Sequence, residues 1–177
     1  MRLLFPSLLS DADWGHLAPA VQQLHGTPQS LRATGTADVE GSTAWHARLL
    51  RRILGLPEPG QDQPITFIID RQAGSETWTR GFERGQMQST LMRGPEGLLL
   101  ERLGPVTLRF RLRCDGDGID WQLLGARLLG MPLPRFLLGE VYSRSGAKDG
   151  RYYFHIDARP PWFGRLIAYR GWLEIAP

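Results

Sequence analysis

The stretch Gly74-Ser75-Glu76-Thr77-Trp78-Thr79-Arg80-Gly81-Phe82 decides how the chain is read. Read as a β-strand, it places Glu76, Trp78, Arg80 and Phe82 on one face and Thr77, Thr79 and Gly81 on the other. The aromatic face is the one to bury. A carboxylate and a guanidinium then go inside with the rings, which is costly unless the charges are paired or line a wet cavity that takes a ligand. Two expectations stand level: Glu76 and Arg80 pair at a strand end with partial exposure, or they line a ligand site.

Outward from this stretch the same period of two repeats. Strands are predicted near residues 65–71, 75–83, 86–92, 98–103, 106–114, 118–129, 139–145, 151–159 and 165–175, separated by Gly-, Pro- and Asp-bearing turns. The cleanest alternation sets Val106, Leu108, Phe110, Leu112 and Cys114 inside against Thr107, Arg109, Arg111 and Arg113 outside. Earlier, Leu31, Ala33, Gly35, Ala37 and Val39 make the inner face of a first strand. Its small residues permit close backbone approach. Two proline-bearing segments, Met131 to Pro134 and Arg159 to Gly164, interrupt strand pairing because proline has no N–H to give the ladder.

Two short helices complete the pattern. Trp14, Leu17, Val21 and Leu24 recur at helical spacing, with Asp11 or Asp13 as cap and Pro19 early, and His25 reads as a C-terminal cap interaction. Thr43 to Leu54 forms the second, ended by Gly55 and Pro57. Trp45, Leu49, Leu50, Ile53 and Leu54 make its apolar side, and His46, Arg48, Arg51 and Arg52 make a basic side that suits solvent or a peripheral membrane or protein contact. The apolar run Leu3 to Leu9, interrupted by Pro6, reads as a docked arm. The fold class expected is α+β, mostly β: an antiparallel ten-strand meander curled into a barrel in the element order of lipocalin-like and fatty-acid-binding barrels, as one domain over residues 1–177.

Composition narrows the function classes. A chain of 177 residues buries about 70% of its unfolded surface and holds a full core without staples. One cysteine, Cys114, allows no internal disulfide and fits a reducing compartment, so a cytoplasmic location is expected; no run of 18 apolar residues suggests a membrane span. All but one of the 21 basic residues are arginine and asparagine is absent, a pattern of GC-rich coding. The net charge of +3, and an arginine stripe at 109, 111 and 113 without interleaved aromatic residues, argue against nucleic acid. No nucleophile elbow, zinc-binding helix, phosphate loop, dinucleotide fingerprint or cysteine pair occurs, so no catalytic residue, metal or cofactor is assigned. His155 and Asp157, two apart on one strand face with Tyr153, are the nearest approach to a general base with an orienting carboxylate, and a solvated outer face explains them as well.

A barrel of this size holds a small ligand among apolar walls and a few polar groups. Glu76 and Arg80, with Arg170, are the candidate polar anchors, and Trp78, Phe82, Trp121 and Trp172 the candidate walls. Tyr169 and Trp172 fall on opposite faces of the last strand, either of which could be inner. Arginine suits an anionic head through its planar fork. The ligand expected is therefore a hydrophobic or amphipathic small molecule with an anionic head. Two alternatives stand beside it. An accessory interaction domain predicts a filled interior with Trp45 or Trp162 exposed, and an enzyme on a lipid-like substrate would use Glu76 or His155.

The assembled motifs resemble an uncharacterised bacterial family, domain-of-unknown-function family 4166. The resemblance runs through Leu24-His25-Gly26, Gly55-Leu56-Pro57, Glu76 to Arg80 with Phe82 and Ser89, Glu101 to Pro105, Gly130 to Pro134, and Gly164 through Leu173, nearly the whole chain. Thr77 departs from the basic or polar residue expected there, on the outer face. The resemblance implies an accessory or ligand-handling role, since members look like stand-alone proteins or tails behind oxidoreductase or multi-span membrane segments, and it names no reaction.

Overall fold

A computed structural model describes residues 3–176. The strands are β1 (Leu31–Glu40), β2 (Gly60–Gln72), β3 (Ser75–Phe82), β4 (Gly85–Arg93), β5 (Leu99–Leu103), β6 (Val106–Asp115), β7 (Gly118–Leu128), β8 (Met131–Pro132), β9 (Glu140–Lys148), β10 (Arg151–Arg159) and β11 (Ile167–Ile175). Every neighbour is antiparallel, and β1 through β7 follow one another as a meander. The β1–β11 ladder and a β7–β9 junction return the sheet on itself, so ten strands close a barrel and the two-residue β8 hangs on β7. Closure leaves no long edge for another chain to pair with.

All ten predicted strands form, β2 beginning before the expected residue 65. Pro64 is tolerated inside it because β2 pairs there with β1 alone; pairing with β3 begins at Thr66. The small inner face of β1 has a geometric cause at the closing ladder. A Cβ on Gly35 would lie 1.9 Å from the Trp172 carbonyl oxygen, and one on Gly171 2.0 Å from that of Thr36, so the two strands approach only because glycine stands on each.

The β7–β9 junction is short. Only Ile119 with Ser145 and Asp120 with Arg144 are paired, and farther along β7 the following segment takes up the pairing through β8 and through Leu133 N–H, which donates to the Ala126 carbonyl at 2.9 Å. Arg144 ties the seam outside the barrel, through Asp115 and, at 3.0 Å, Asp120. Inside, Trp121 Nε1 donates to Ser145 Oγ at 3.2 Å.

One end of the barrel is plugged by the N-terminal segment. The predicted first helix is two, α1 (Asp11–His16) and α2 (Pro19–Gly26), because Leu17 and Ala18, ahead of Pro19, are extended. Ser10, not an aspartate, caps α1, its side chain accepting from the Asp13 N–H. The arm docks as expected, with Leu4 and Phe5 buried. Arg71 donates to the Leu24 and Gln29 carbonyls at 2.7 and 2.8 Å, and Arg93 to that of Ser7 at 2.7 Å, so strand-end arginines hold the plug. The third helix, α3 (Trp45–Leu54), lies at the opposite end and stops at Gly55, whose φ of 65° is the left-handed conformation glycine favours. Among the described residues no helix is long and apolar enough to cross a membrane.

His25 is a core residue rather than a helix cap. It is fully buried, stacks on Phe5 with ring centroids 3.9 Å apart, and its Nε2 lies 3.3 Å from the Tyr152 hydroxyl. Tyr152 donates to Ser145 Oγ at 2.8 Å, so Nε2 carries the imidazole proton toward the phenol oxygen while Nδ1 has no partner among the described residues. Burial, helped by the Arg71 charge, pulls its pKa down to about 3. The unfolded histidine titrates near about 6.5, so below that pH protons favour the unfolded chain. Stability is therefore expected to fall by about 1.4 kcal/mol per pH unit from this residue between roughly pH 6.5 and the folded value. Denaturant melts across that range should show the slope, and His25→Phe should remove its share; an unchanged slope in the variant would refute the assignment.

Candidate functional site

The barrel encloses a cavity of about 440 Å³, within the range of small-molecule pockets, roughly 300–1,000 Å³. It extends from the layer of Trp78 and Trp121 to the end opposite the plug, where Leu50 and Leu54 of α3, the segment 133–138 and the segment 160–163 surround it. The walls are aliphatic and aromatic. Arg80, Glu101, Ser143, Ser145, Tyr152 and Tyr169 are the polar residues among them.

Arg80 is the fixed cation of this cavity. Its guanidinium lies 5.1 Å from the Trp78 ring centroid and 5.5 Å from that of Phe67, donates to Ser89 Oγ at 3.1 Å, and stands 3.6 Å from Glu101. β3 pairs with β4 and β4 with β5, which brings Arg80, Ser89 and Glu101 together on the inner face from three strands. The ring contacts hold the planar head in place before anything binds. Nearby, Tyr169 and Tyr152 keep their phenol protons, burial raising both pKa values. Ser145 accepts from Tyr152 and from Trp121, which leaves its own proton to donate.

Each sequence candidate has a definite place. Trp78, Arg80 and Trp121 line the cavity, while Phe82 is buried behind its wall, edge-on to Tyr169 at 6.2 Å. Glu76 does not pair with Arg80. It lies at the plugged end, accepting from Arg71 Nε at 3.3 Å and Trp78 Nε1 at 2.9 Å, with burial raising its pKa. It belongs to the fastening of the plug rather than to the cavity. Arg170 and Trp172 are corrected outright: both face outward, Arg170 exposed near Asp38 at 3.8 Å and Trp172 covered by Arg151 at 4.3 Å, and Tyr169 is the inner residue of that strand. The basic face of α3 is also revised, since Arg51 is buried and donates to the carbonyls of Ser42 and Leu166 at 2.8 and 3.2 Å. His155 and Asp157 remain on the outer side, where Asp157 accepts from Arg159 at 2.8 Å and sits 3.3 Å from Arg165. The His155 ring instead stands against Tyr142, with burial lowering its pKa.

Glu101, Ser89, Ser145 and Tyr152 were not among the sequence candidates. The signal for Glu101 was present, as Leu99, Glu101 and Leu103 share a face and make it a carboxylate among leucines at a period of two. The expectation of a filled interior is not met, yet Trp45 and Trp162 are both exposed, so one feature of each reading is found in the same molecule.

Truncating Arg80→Ala leaves the Glu101 carboxylate buried without its cation and is expected to cost about 3 kcal/mol. The double variant Arg80→Met/Glu101→Leu should recover most of that loss in denaturant melts, because it removes both charges and keeps the volume. Equal melting of the single and double variants would mean that the two residues are not coupled.

Against known proteins, a family model described as a domain of unknown function (DUF4166) matches residues 17–173. No curated protein and no solved structure shows significant similarity to the chain.

Proposed function

The chain belongs to that family of unknown function, and we propose that it is a non-catalytic binding barrel for an amphipathic small molecule whose apolar body fills the interior and whose oxygen-bearing head is received at Arg80. The observation that carries this reading is an apolar cavity of about 440 Å³ that holds, among the described residues, a single arginine, fixed by two aromatic rings. A core meant only to be stable would be filled, because empty lining surface forfeits dispersion contacts. Arg80 keeps N–H groups beyond those directed at Ser89 and Glu101, and a carboxylate or carbonyl oxygen suits them.

Glu101 bears on which head is taken. An anionic head competes with the carboxylate for the same guanidinium, whereas a carbonyl or undissociated acid does not. Ser145, Tyr152 and Tyr169 offer further hydroxyl donors inside. Reading the ligand as anionic rests on the fork of Arg80, and reading it as neutral rests on Glu101.

Native mass spectrometry of freshly purified protein, with organic extraction of what it carries, is the direct test. A discrete added mass recovered as an amphipath is the expected result. After delipidation, a long-chain fatty acid, its alcohol and its methyl ester should each be titrated against a fluorescent fatty-acid probe. Preference for the acid that strengthens as pH rises through the fatty acid's own titration establishes an anionic head, and preference for the ester or alcohol, or for the acid only below that titration, a neutral one. The Arg80→Met/Glu101→Leu variant should bind the preferred compound at least about tenfold more weakly, the loss of one charge-assisted hydrogen bond. An unligated mass that mixed lipids and all three compounds leave unshifted would overturn the proposal.

A further inference from the structure

The open end of the barrel carries apolar side chains that the fold does not use. Trp45, Leu49 and Ile53 recur at i, i+4 and i+8 along the outer side of α3 and are exposed by 75%, 51% and 56%. Leu129 and Met131 project from the segment after β7, Phe136 from the next turn, and Trp162 from the segment between β10 and β11. These elements come together at the mouth. Leu129 N–H donates to the Pro105 carbonyl at 2.9 Å, Ile53 O lies beside Gly104, and Phe163 packs on His46 at 5.4 Å.

Two of these residues are held out by strained backbone. Leu129 has φ 51° and Trp162 φ 65°, the left-handed region that bulky L-residues avoid, and they are exposed by 75% and 73%. A large apolar residue at such a position is both strained and wetted, a combination the isolated barrel does not repay. Apolar patches of this kind mark interaction sites.

Charge says which partner fits. The three mouth segments, residues 41–57, 129–139 and 160–166, contain five arginines and no carboxylate, with the exposed Glu40, Glu58 and Glu140 flanking their ends. Arg51 is spent on backbone carbonyls and Arg165 on Glu40 and Asp157. Arg48, Arg52 and Arg135 are exposed, as is Arg127 beside them on β7, and among the described residues none of the four pairs with a carboxylate. On α3, Arg48 and Arg52 adjoin the exposed Trp45–Leu49–Ile53 stripe. Separate apolar tips with a tryptophan on two of them, set among unpaired arginines, suit the headgroup layer of an anionic bilayer better than a flat protein face.

We propose that the mouth of the barrel docks on an anionic lipid bilayer, with Trp45, Leu49, Leu129 and Trp162 entering the interface and Arg48, Arg52, Arg127 and Arg135 meeting the headgroups. The cavity then opens toward the membrane. The docking goes beyond the binding reading and stands without it, since the rim is exposed whether or not the barrel is loaded.

The test is sedimentation of the full chain with phosphatidylcholine vesicles, alone or with roughly 30 mol% phosphatidylglycerol, where each arginine at a charged surface contributes about 1 kcal/mol, a factor of about five in affinity. Binding is expected to the anionic vesicles, to weaken with added salt, and to fall by more than about tenfold in Arg48→Glu/Arg52→Glu. Trp45→Ala/Leu49→Ala and Trp162→Ala should also weaken it, with circular dichroism unchanged because the side chains are exposed. Arg111→Glu/Arg113→Glu, on the barrel's flank, and Arg80→Met/Glu101→Leu, in its interior, should bind vesicles like the parent, so failure of the ligand reading leaves this result untouched. The inference is overturned if the protein stays in the supernatant with both vesicles, or if the flank variant loses as much as the α3 variant. It is equally overturned if the rim instead drives self-association or capture of a protein partner that Trp45→Ala/Leu49→Ala abolishes.

Discussion

A sheet carries two edges of unpaired N–H and C=O groups unless it returns to its own first strand, and here that return rests on the ladder between β1 and β11. The ladder joins strands from opposite ends of the sequence, and it forms because Gly35 and Gly171 present no side chain where the backbones meet. Everything else follows from closure. The inner face becomes an enclosed volume, the N-terminal segment has an end to plug, and the remaining end becomes a mouth.

Within that volume the problem set by the sequence is how a barrel carries Glu76, Arg80 and Glu101 on an apolar face. Two separate pairings solve it. Near the plug, Glu76 is satisfied by Arg71 and Trp78, and the same Arg71 reaches the carbonyls of the N-terminal segment, so this pair is mechanical. Farther toward the mouth, Arg80 is positioned by two rings, Ser89 and Glu101, with cavity in front of it. Burying charge is costly in both places. Only the second location leaves the charged group in contact with space that another molecule can occupy.

The strands were legible because a two-residue period survives in nearly every one, and the turns carry glycine or proline where the backbone demands it. Trp78, Arg80 and Trp121 were legible as interior for the same reason. What sequence could not supply was partnership. Glu76 and Arg80 share a face of one strand, yet their partners come from β2 in one case and β5 in the other, a matter of register rather than of spacing. Alternation separates Tyr169 from Trp172 without saying which is inner, and that depends on how β11 meets β1. His25 looked like a helix-end residue because it stands in the last turn of α2, where a cation suits the helix terminus; its neighbours in space are Phe5, Trp78 and Tyr152. The apolar stripe of α3 is visible in the sequence, but a stripe does not reveal that Leu50 and Leu54 face the cavity while Trp45, Leu49 and Ile53 face away from it, nor that Arg51 of the basic side is buried.

The junction of β7 with β9 differs from the others around the ring in being held by two residue pairs, clamped by Arg144. The circumference is thus set by nine longer ladders, two of them interrupted by a bulge, and one junction of two pairs. Widening the barrel along that line breaks two residue pairings and the Arg144 clamp, where any other line around the ring breaks four pairings or more. The shell thus has one weak seam, and a strain on its bore falls there before it falls on any full ladder.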